Sequence, residues 1–233
     1  MAGQSYGGFL ARAFARFYPK DVVGMVLVEA VNEDSRIVMG GKAVRIRDWA
    51  KGREFPAAPI ENYKPKNGVS QRETVTVADR KLEAPYDRLS PELQRYQRWA
   101  QSLPAFRQAV GDEMDWSPEE LQKMYENRGR SEYMLGDMPL IVLTRGEGGY
   151  ADLPGVSAAE LENERLRLQA DLAGLSSNSV QIIDKKSGHN IHLEDPATVI
   201  EAFRRVVDAA RRRKALVPDN MAATRKKRTR RTN

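Results

Sequence analysis

Two short stretches of this chain carry residues that could make and break an acyl bond. Near the start, Gly3-Gln4-Ser5-Tyr6-Gly7-Gly8 has the spacing G-x-S-x-G. A serine so placed sits on a sharp strand-to-helix turn, with its hydroxyl exposed and its backbone strained. Gly3 and Gly7, two before and two after, are expected to remove side chains that would collide in so tight a turn. The helix behind Ser5 would aim its amide-rich N-terminus at the site, where the Tyr6 amide could donate to an oxyanion. A serine hydroxyl is a poor nucleophile at neutral pH and needs a base such as imidazole. The chain has two histidines, and both fall in Ser187-Gly188-His189-Asn190-Ile191-His192-Leu193-Glu194-Asp195-Pro196. We assign the base to His189, which follows a glycine, and a packing role to His192.

The elements around these stretches must bring them together. Phe9, Leu10, Ala13, Phe14 and Phe17 recur at helical spacing, and Pro19 stops the pattern. Residues 22–28, Val-Val-Gly-Met-Val-Leu-Val, form a continuous apolar run, as in a buried parallel strand. No strand is expected before Ser5. Residues 138–144 read as a second buried strand and 179–183 as a third. A helix is predicted between them over 158–173, with Leu161, Leu168 and Leu172 inward, Glu and Arg outward, and Gly174 at its end. Asp195-Pro196 opens a last helix, Asp as cap and Pro in the first turn, with Val199, Ile200, Phe203, Val206, Val207 and Ala210 following. This order argues a parallel α/β sheet. In such sheets, sites gather beyond the carboxyl ends of the strands. Ser5 precedes the first helix and His189 follows the last strand, so both should reach the same edge.

Four segments result. Residues 1–35 hold the serine turn, its helix and the first core strand. Residues 36–135 are proline-rich and charged, and read as a mostly helical inserted cap. Within it, 53–67 reads as a loop, and Ser90-Pro91 and Ser117-Pro118 read as helix starts. Residues 136–213 complete the core with the acid and histidine loops. Residues 214–233 read as a basic disordered tail. The net charge of +6 belongs to this end: from Arg211 onward there are ten Lys or Arg against one Asp. The remaining body is mildly acidic.

Composition narrows the function. With no cysteine there is no disulfide framework, thiolate metal site or cysteine nucleophile. Two histidines beside Glu194 and Asp195 do not make a metal site, since Asp195 is better used as a helix cap. No cofactor is expected. No run approaches the roughly 18 apolar residues that span a bilayer. No leader is read before Ser5, so the expected location is cytoplasmic. The Arg225–Arg231 run could hold nucleic acid loosely, but has no aromatic for stacking, and no specific nucleic-acid partner is expected.

The serine turn with Gly24-Met25-Val26-Leu27-Val28-Glu29, and Gly188-His189-x-x-His192-Leu-Glu-Asp-Pro196, together resemble the nucleophile elbow and histidine loop of the α/β-hydrolase family. The resemblance covers residues 1–212 and implies the C-terminal half of that fold's parallel sheet, helices on both faces and an inserted cap. It places the N-terminal half of the usual fold outside this chain. It implies a triad of Ser5 as nucleophile, His189 as base and an orienting acid. Glu29, directly after the first strand, is the first choice for the acid, a position used by certain haloalkane dehalogenases. Glu147 and Asp152, after the next strand, hold the commoner position, and Glu33 and Asp34 are further candidates. The implied activity is hydrolysis of an ester or related acyl substrate. A serine at the elbow disfavours the epoxide and alkyl-halide chemistries that use aspartate. A second reading, from another class, is a non-catalytic fragment or binding module that keeps the motifs without a complete oxyanion hole. A half sheet would also expose an edge strand through which the chain could self-associate.

Overall fold

The computed structural model describes residues 1–39, 41–52, 81–103, 106, 109, 119–128 and 133–217. The expected loop at 53–67, the Ser117-Pro118 helix start and the tail beyond 217 lie outside the described residues.

Four parallel strands form the core sheet: β1 (Ala2–Gln4), β2 (Met25–Val28), β5 (Leu140–Arg145) and β6 (Ser179–Asp184), in the order β1-β2-β5-β6. The β2 and β5 strands are buried along their whole length, which is why they read as unbroken apolar runs. The three-residue β1 is an addition to the sequence reading. It pairs with β2 in the register Ala2↔Val26, Gly3↔Leu27, Gln4↔Val28. So short a strand carries no periodic signal. The first apolar run is also shorter than expected, because Val23 lies exposed ahead of Met25.

Helices cover both faces. On one, α1 (Tyr6–Phe17) and α5 (Ala158–Ala173) pack Ala11, Ala15 and Leu172 on Met25, Leu27, Leu140 and Val142. On the other, α7 (Pro196–Arg212) packs Val199, Ala202 and Val206 on Val26, Val28, Ile141 and Leu143. The alternation of strand side chains between faces feeds both cores. Asp195 caps α7, accepting from the Thr198 amide at 3.2 Å, with Pro196 in the first turn as expected. Ser157 closes a capping box with Glu160 on α5.

The insertion opens with an antiparallel hairpin, β3 (Arg36–Met39) and β4 (Lys42–Arg45), where the sequence reading has no strand. Helices α2 (Ile46–Ala50), α3 (Pro91–Ser102) and α4 (119–128) follow. Ser90 caps α3 through the Leu93 amide at 3.3 Å. Ile46, Leu121 and Met124 pack on Phe9 and Ala13 of α1, so the insertion rests on the helix behind Ser5.

Two helices bury a different face from the one their periodicity suggests. In α1 the buried residues are Gly8, Phe9, Ala11, Arg12, Ala13 and Ala15, while Phe14 and Phe17 are 40% and 50% exposed. In α5, Glu164, Arg165 and Gln169 are buried beside Leu161 and Leu172. The charged residues turn inward because each finds a charged partner across the fold.

Candidate functional site

All four core strands are parallel, so the loops after them share one edge. Ser5 follows β1, Glu29 follows β2, Arg145 ends β5 and the histidine loop follows β6.

Ser5 has φ 50° and ψ −122°. A non-glycine residue in such a region costs about 1–3 kcal/mol and persists only when its surroundings hold it. They do so here: the Ser5 amide donates to the Val28 carbonyl at 3.0 Å, and the Ser5 carbonyl accepts from the Gly8 and Val31 amides, each at 3.0 Å. The glycines divide the work differently from the sequence reading. A Cβ on Gly3 would lie 2.0 Å from the Gly7 carbonyl oxygen, and one on Gly8 would lie 2.3 Å from the Ala30 Cβ. A Cβ on Gly7 would meet nothing within 4 Å. Gly7 therefore supplies close-lying backbone, and Gly8 is the second position that only glycine fills. Tyr6 is the first residue of α1, which puts its amide at the helix N-terminus.

The histidine loop is stitched to its neighbours through the backbone. The Ser187 carbonyl accepts from the Gly146 and Glu147 amides at 3.2 and 3.0 Å. The Gly188 amide donates to Glu194 Oε2 at 2.8 Å, closing the loop on α6 (Ile191–Glu194). Gln4 Nε2 donates to the His189 carbonyl at 3.2 Å. Since β1 and β6 are opposite edges of the sheet, this bond shows the loop folding back over the strand ends toward Ser5. His189 is an exposed residue. Partial burial of its ring, with the Arg145 and Arg165 charges, holds the imidazole below its usual range, while Glu29 and Glu194 pull it upward. His192 is lowered too, by burial first and then by His189. Among the described residues, no hydrogen bond joins Ser5 Oγ to His189, and His192 Nδ1 is buried without a partner.

Glu29 has φ 42° and is buried. Its Oε2 accepts from the Arg145 amide at 2.8 Å, and its Oε1 from Arg165 Nη1 at 2.9 Å. Arg145 Nε lies 3.4 Å from Oε1. Glu162 bridges the same two arginines, accepting from Arg145 Nη2 at 2.7 Å and from Arg165 Nε at 3.1 Å. The four side chains close a ring of alternating charge. The other acid candidates stand elsewhere. Asp152 accepts from the Ala158 amide at the start of α5 at 2.7 Å. Glu147 is exposed, and its carbonyl accepts from Arg145 Nη1. Asp34 pairs with Arg45 and Arg47. Glu33, with no exposed surface, pairs with Arg12 of α1 and with Arg128 of α4, the latter at 2.8 Å. Sequence reading missed all these arginines, because a buried guanidinium on a helix looks like a solvated one until its partner is placed.

The cavities of the described structure include two away from Ser5 and His189. One of about 670 Å³ opens at the amino ends of the strands, among Val22, Met138, Pro139, Asn178 and Ala209. The other, of about 570 Å³, lies between α4 and α5, among Arg45, Tyr125, Arg128 and Glu164. Ser5 and His189 line neither. Among the described residues, no cluster of His, Asp or Glu could hold a metal ion, and no helix is long and apolar enough to cross a membrane.

No protein-family model matches the chain, and no curated protein sequence matches it. Solved structures do. A probable hydrolytic enzyme from Pseudomonas aeruginosa PAO1 is 18% identical with a TM-score of 0.45; the match covers 88% of this chain and 62% of that one. A mutant of a candidate epoxide hydrolase from Pseudomonas aeruginosa is 15% identical with a TM-score of 0.51, covering 91% of this chain and 66% of that one. The chain thus spans less than two thirds of the length of either structure. At 15% identity the likeness to the second is one of architecture, and the architecture that this chain has is the α/β-hydrolase fold.

Proposed function

We propose that the chain is a serine hydrolase acting on an ester or related acyl substrate. Ser5 attacks the carbonyl carbon while His189 takes its proton, and the Tyr6 amide donates to the oxyanion. His189 returns the proton to the leaving alcohol, then activates the water that releases the acyl group. Glu29 orients the imidazole. The insertion at 36–135 acts as the cap that shapes the substrate pocket. The observation that carries this reading is the Ser5 backbone, held at φ 50° between β1 and α1 by three hydrogen bonds. Strain of that kind is kept where a side chain must be presented.

The test is covalent capture. A fluorophosphonate should add one phosphonyl group to the chain, seen by intact mass, and Ser5→Ala should abolish the adduct. Activated short-chain esters should be hydrolysed with the same dependence on Ser5. The rival reading, a binding module or fragment without a complete site, draws support from the absence, among the described residues, of a hydrogen bond between Ser5 Oγ and His189. It predicts a folded chain that takes no label.

A further inference from the structure

We propose that Arg165 is a positioning residue of this site: from the middle of α5 it fixes the Glu29 carboxylate at the sheet edge that also carries the histidine loop, and Glu162 fixes Arg165 in turn. This inference rests on the reading that Ser5, His189 and Glu29 work together.

The geometry starts from Glu29. Its side chain is 4% exposed. A carboxylate so deeply placed is tolerated when donors surround it. Two hydrogen-bond donors are present, the Arg145 amide and Arg165 Nη1, and the Arg145 guanidinium adds its charge, with Nε 3.4 Å from Oε1. Arg165 Nη1 reaches both oxygens, at 2.9 and 3.2 Å. Its Nη2 donates to the Arg145 carbonyl at 3.2 Å, and its Nε to Glu162. One planar guanidinium therefore ties α5 to the ends of β2 and β5 at once, as only a rigid five-donor fork can. A carboxylate has about four lone-pair sites. Three hydrogen bonds, from the Arg145 amide to Oε2 and from Arg165 Nη1 to both oxygens, leave acceptor capacity for one more donor.

The ring also sets the field at His189. Glu29 and Glu162 balance Arg145 and Arg165, so the intact ring carries no net charge. Removing one member leaves an uncompensated unit charge of known sign close to the imidazole. The charges that most affect His189 are Glu29 from the loop after β2, Arg145 from β5, Arg165 from α5 and Glu194 from α6, and His189 in turn acts on His192 of α6. Loss of Arg165 leaves a negative charge and favours imidazolium. Loss of Glu29 leaves a positive charge and disfavours it.

The chain's two histidines make this directly readable by NMR titration of the intact protein, with His192→Gln assigning the signals. Arg165→Gln should raise the His189 midpoint by about half a unit or more, and Glu29→Gln should lower it. In turnover of an activated ester, Arg165→Gln should lower kcat about tenfold or more with KM little changed. The acid limb of its pH profile should move to higher pH, because the base must be neutral. Arg165→Lys should recover part of kcat. Glu162→Gln, which leaves Arg165 and Glu29 in place, should show a weaker kcat loss and a lowered midpoint. A folded Arg165→Gln protein with an unchanged His189 midpoint and pH profile would overturn the proposal. If Arg165→Gln does not fold, Glu162→Gln carries the same two readouts, and an unchanged His189 midpoint with unchanged kcat there overturns the proposal. If the chain shows no Ser5-dependent turnover, the hydrolase reading fails, while the titration still decides whether Arg165 governs Glu29 and His189.

Discussion

Glu29 and Glu33 stand four residues apart after the same strand, both are buried, and each is held by two arginines. Their surroundings differ. Around Glu33, Arg12 comes from α1, Arg128 from α4, and Asp171 of α5 also pairs with Arg128. Arg12 further donates to the Gly8 and Val31 carbonyls, so that cluster clamps the helix behind Ser5 to the sheet and to the insertion. Around Glu29 the ring closes on itself, tying α5 to the ends of β2 and β5. The same ionic chemistry thus serves two tasks, one holding elements together and one holding a carboxylate in place. Burial and charge alone do not separate the two carboxylates; the elements that their arginines tie together do.

The largest effects should cross between the two. Glu33→Gln leaves Arg12 buried with half its partner, a loss of about 3–5 kcal/mol. For a chain of this size that is a fall in Tm of roughly 10 °C. Its folded fraction should keep most of its ester turnover. Glu29→Gln should cost less stability, because Glu162 still pairs with both arginines, but should lower kcat about 10⁴-fold, as when a triad acid loses its charge. Thermal melts and initial rates on both variants separate the roles. Equal loss of turnover with no difference in Tm would show that the comparison is false.

A second contrast lies inside the elbow. Gly3→Ala drives a Cβ into the Gly7 carbonyl, at a cost of about 1–3 kcal/mol and with displacement of Ser5. Gly7→Ala meets open space within a helix and should be neutral or stabilising by up to ~1 kcal/mol. Phosphonyl labelling should vanish in the first and persist in the second. A Gly7→Ala protein that lost its label while keeping its Tm would return Gly7 to the role its motif position suggests.

These cases show what could be read from residues alone. The parallel strands, the flanking helices and the two loops were legible because buried runs, caps and glycines are local signals. The division of labour between Gly3, Gly7 and Gly8 was not, since it depends on Ala30 lying across the turn. Nor was the inward face of α1. Phe9, Ala13, Phe14 and Phe17 share a helical period, yet Phe14 and Phe17 stay outside while Arg12 goes in, drawn by Glu33. Long-range ion pairs leave no trace in periodicity. The same limit hid Arg145 and Arg165, so Glu29 could be favoured from its position after β2 but its setting could not be foreseen.

The two flanks of the sheet sharpen the contrast at smaller scale. On the β6 side, Leu216 packs against the core and its amide donates to Asn178. On the β1 side, the described sheet ends in a three-residue edge strand, and the helix that follows it leaves Phe14, Phe17 and, just beyond its end, Tyr18 exposed. We propose that this edge supports self-association. Light scattering should show a mass that rises with concentration, and Phe14→Ser with Phe17→Ser should reduce that rise. A monomer at all concentrations would remove the edge from consideration.

The smallest effect is one of pH. His189 and His192 are both held below their usual range, by burial first. An unfolded histidine titrates near 6.5. As pH falls through about 6.5, the unfolded chain binds protons that the folded chain resists, so stability rises with pH across this window. The contribution is complete above the unfolded value and is lost toward acid, as pH drops to the lowered folded values. Melting temperature should therefore fall between about pH 7 and pH 5.5, and His189→Asn with His192→Asn should flatten that slope. A melting temperature that rose toward acid would reverse the sign and contradict the lowering of both histidines by partial burial. The two glutamates part company here as well. Glu29 is among the charges that most affect the His189 ring, whereas Glu33 is paired with Arg12 and Arg128, so Glu33→Gln should move the His189 titration less than Glu29→Gln, which moves it down.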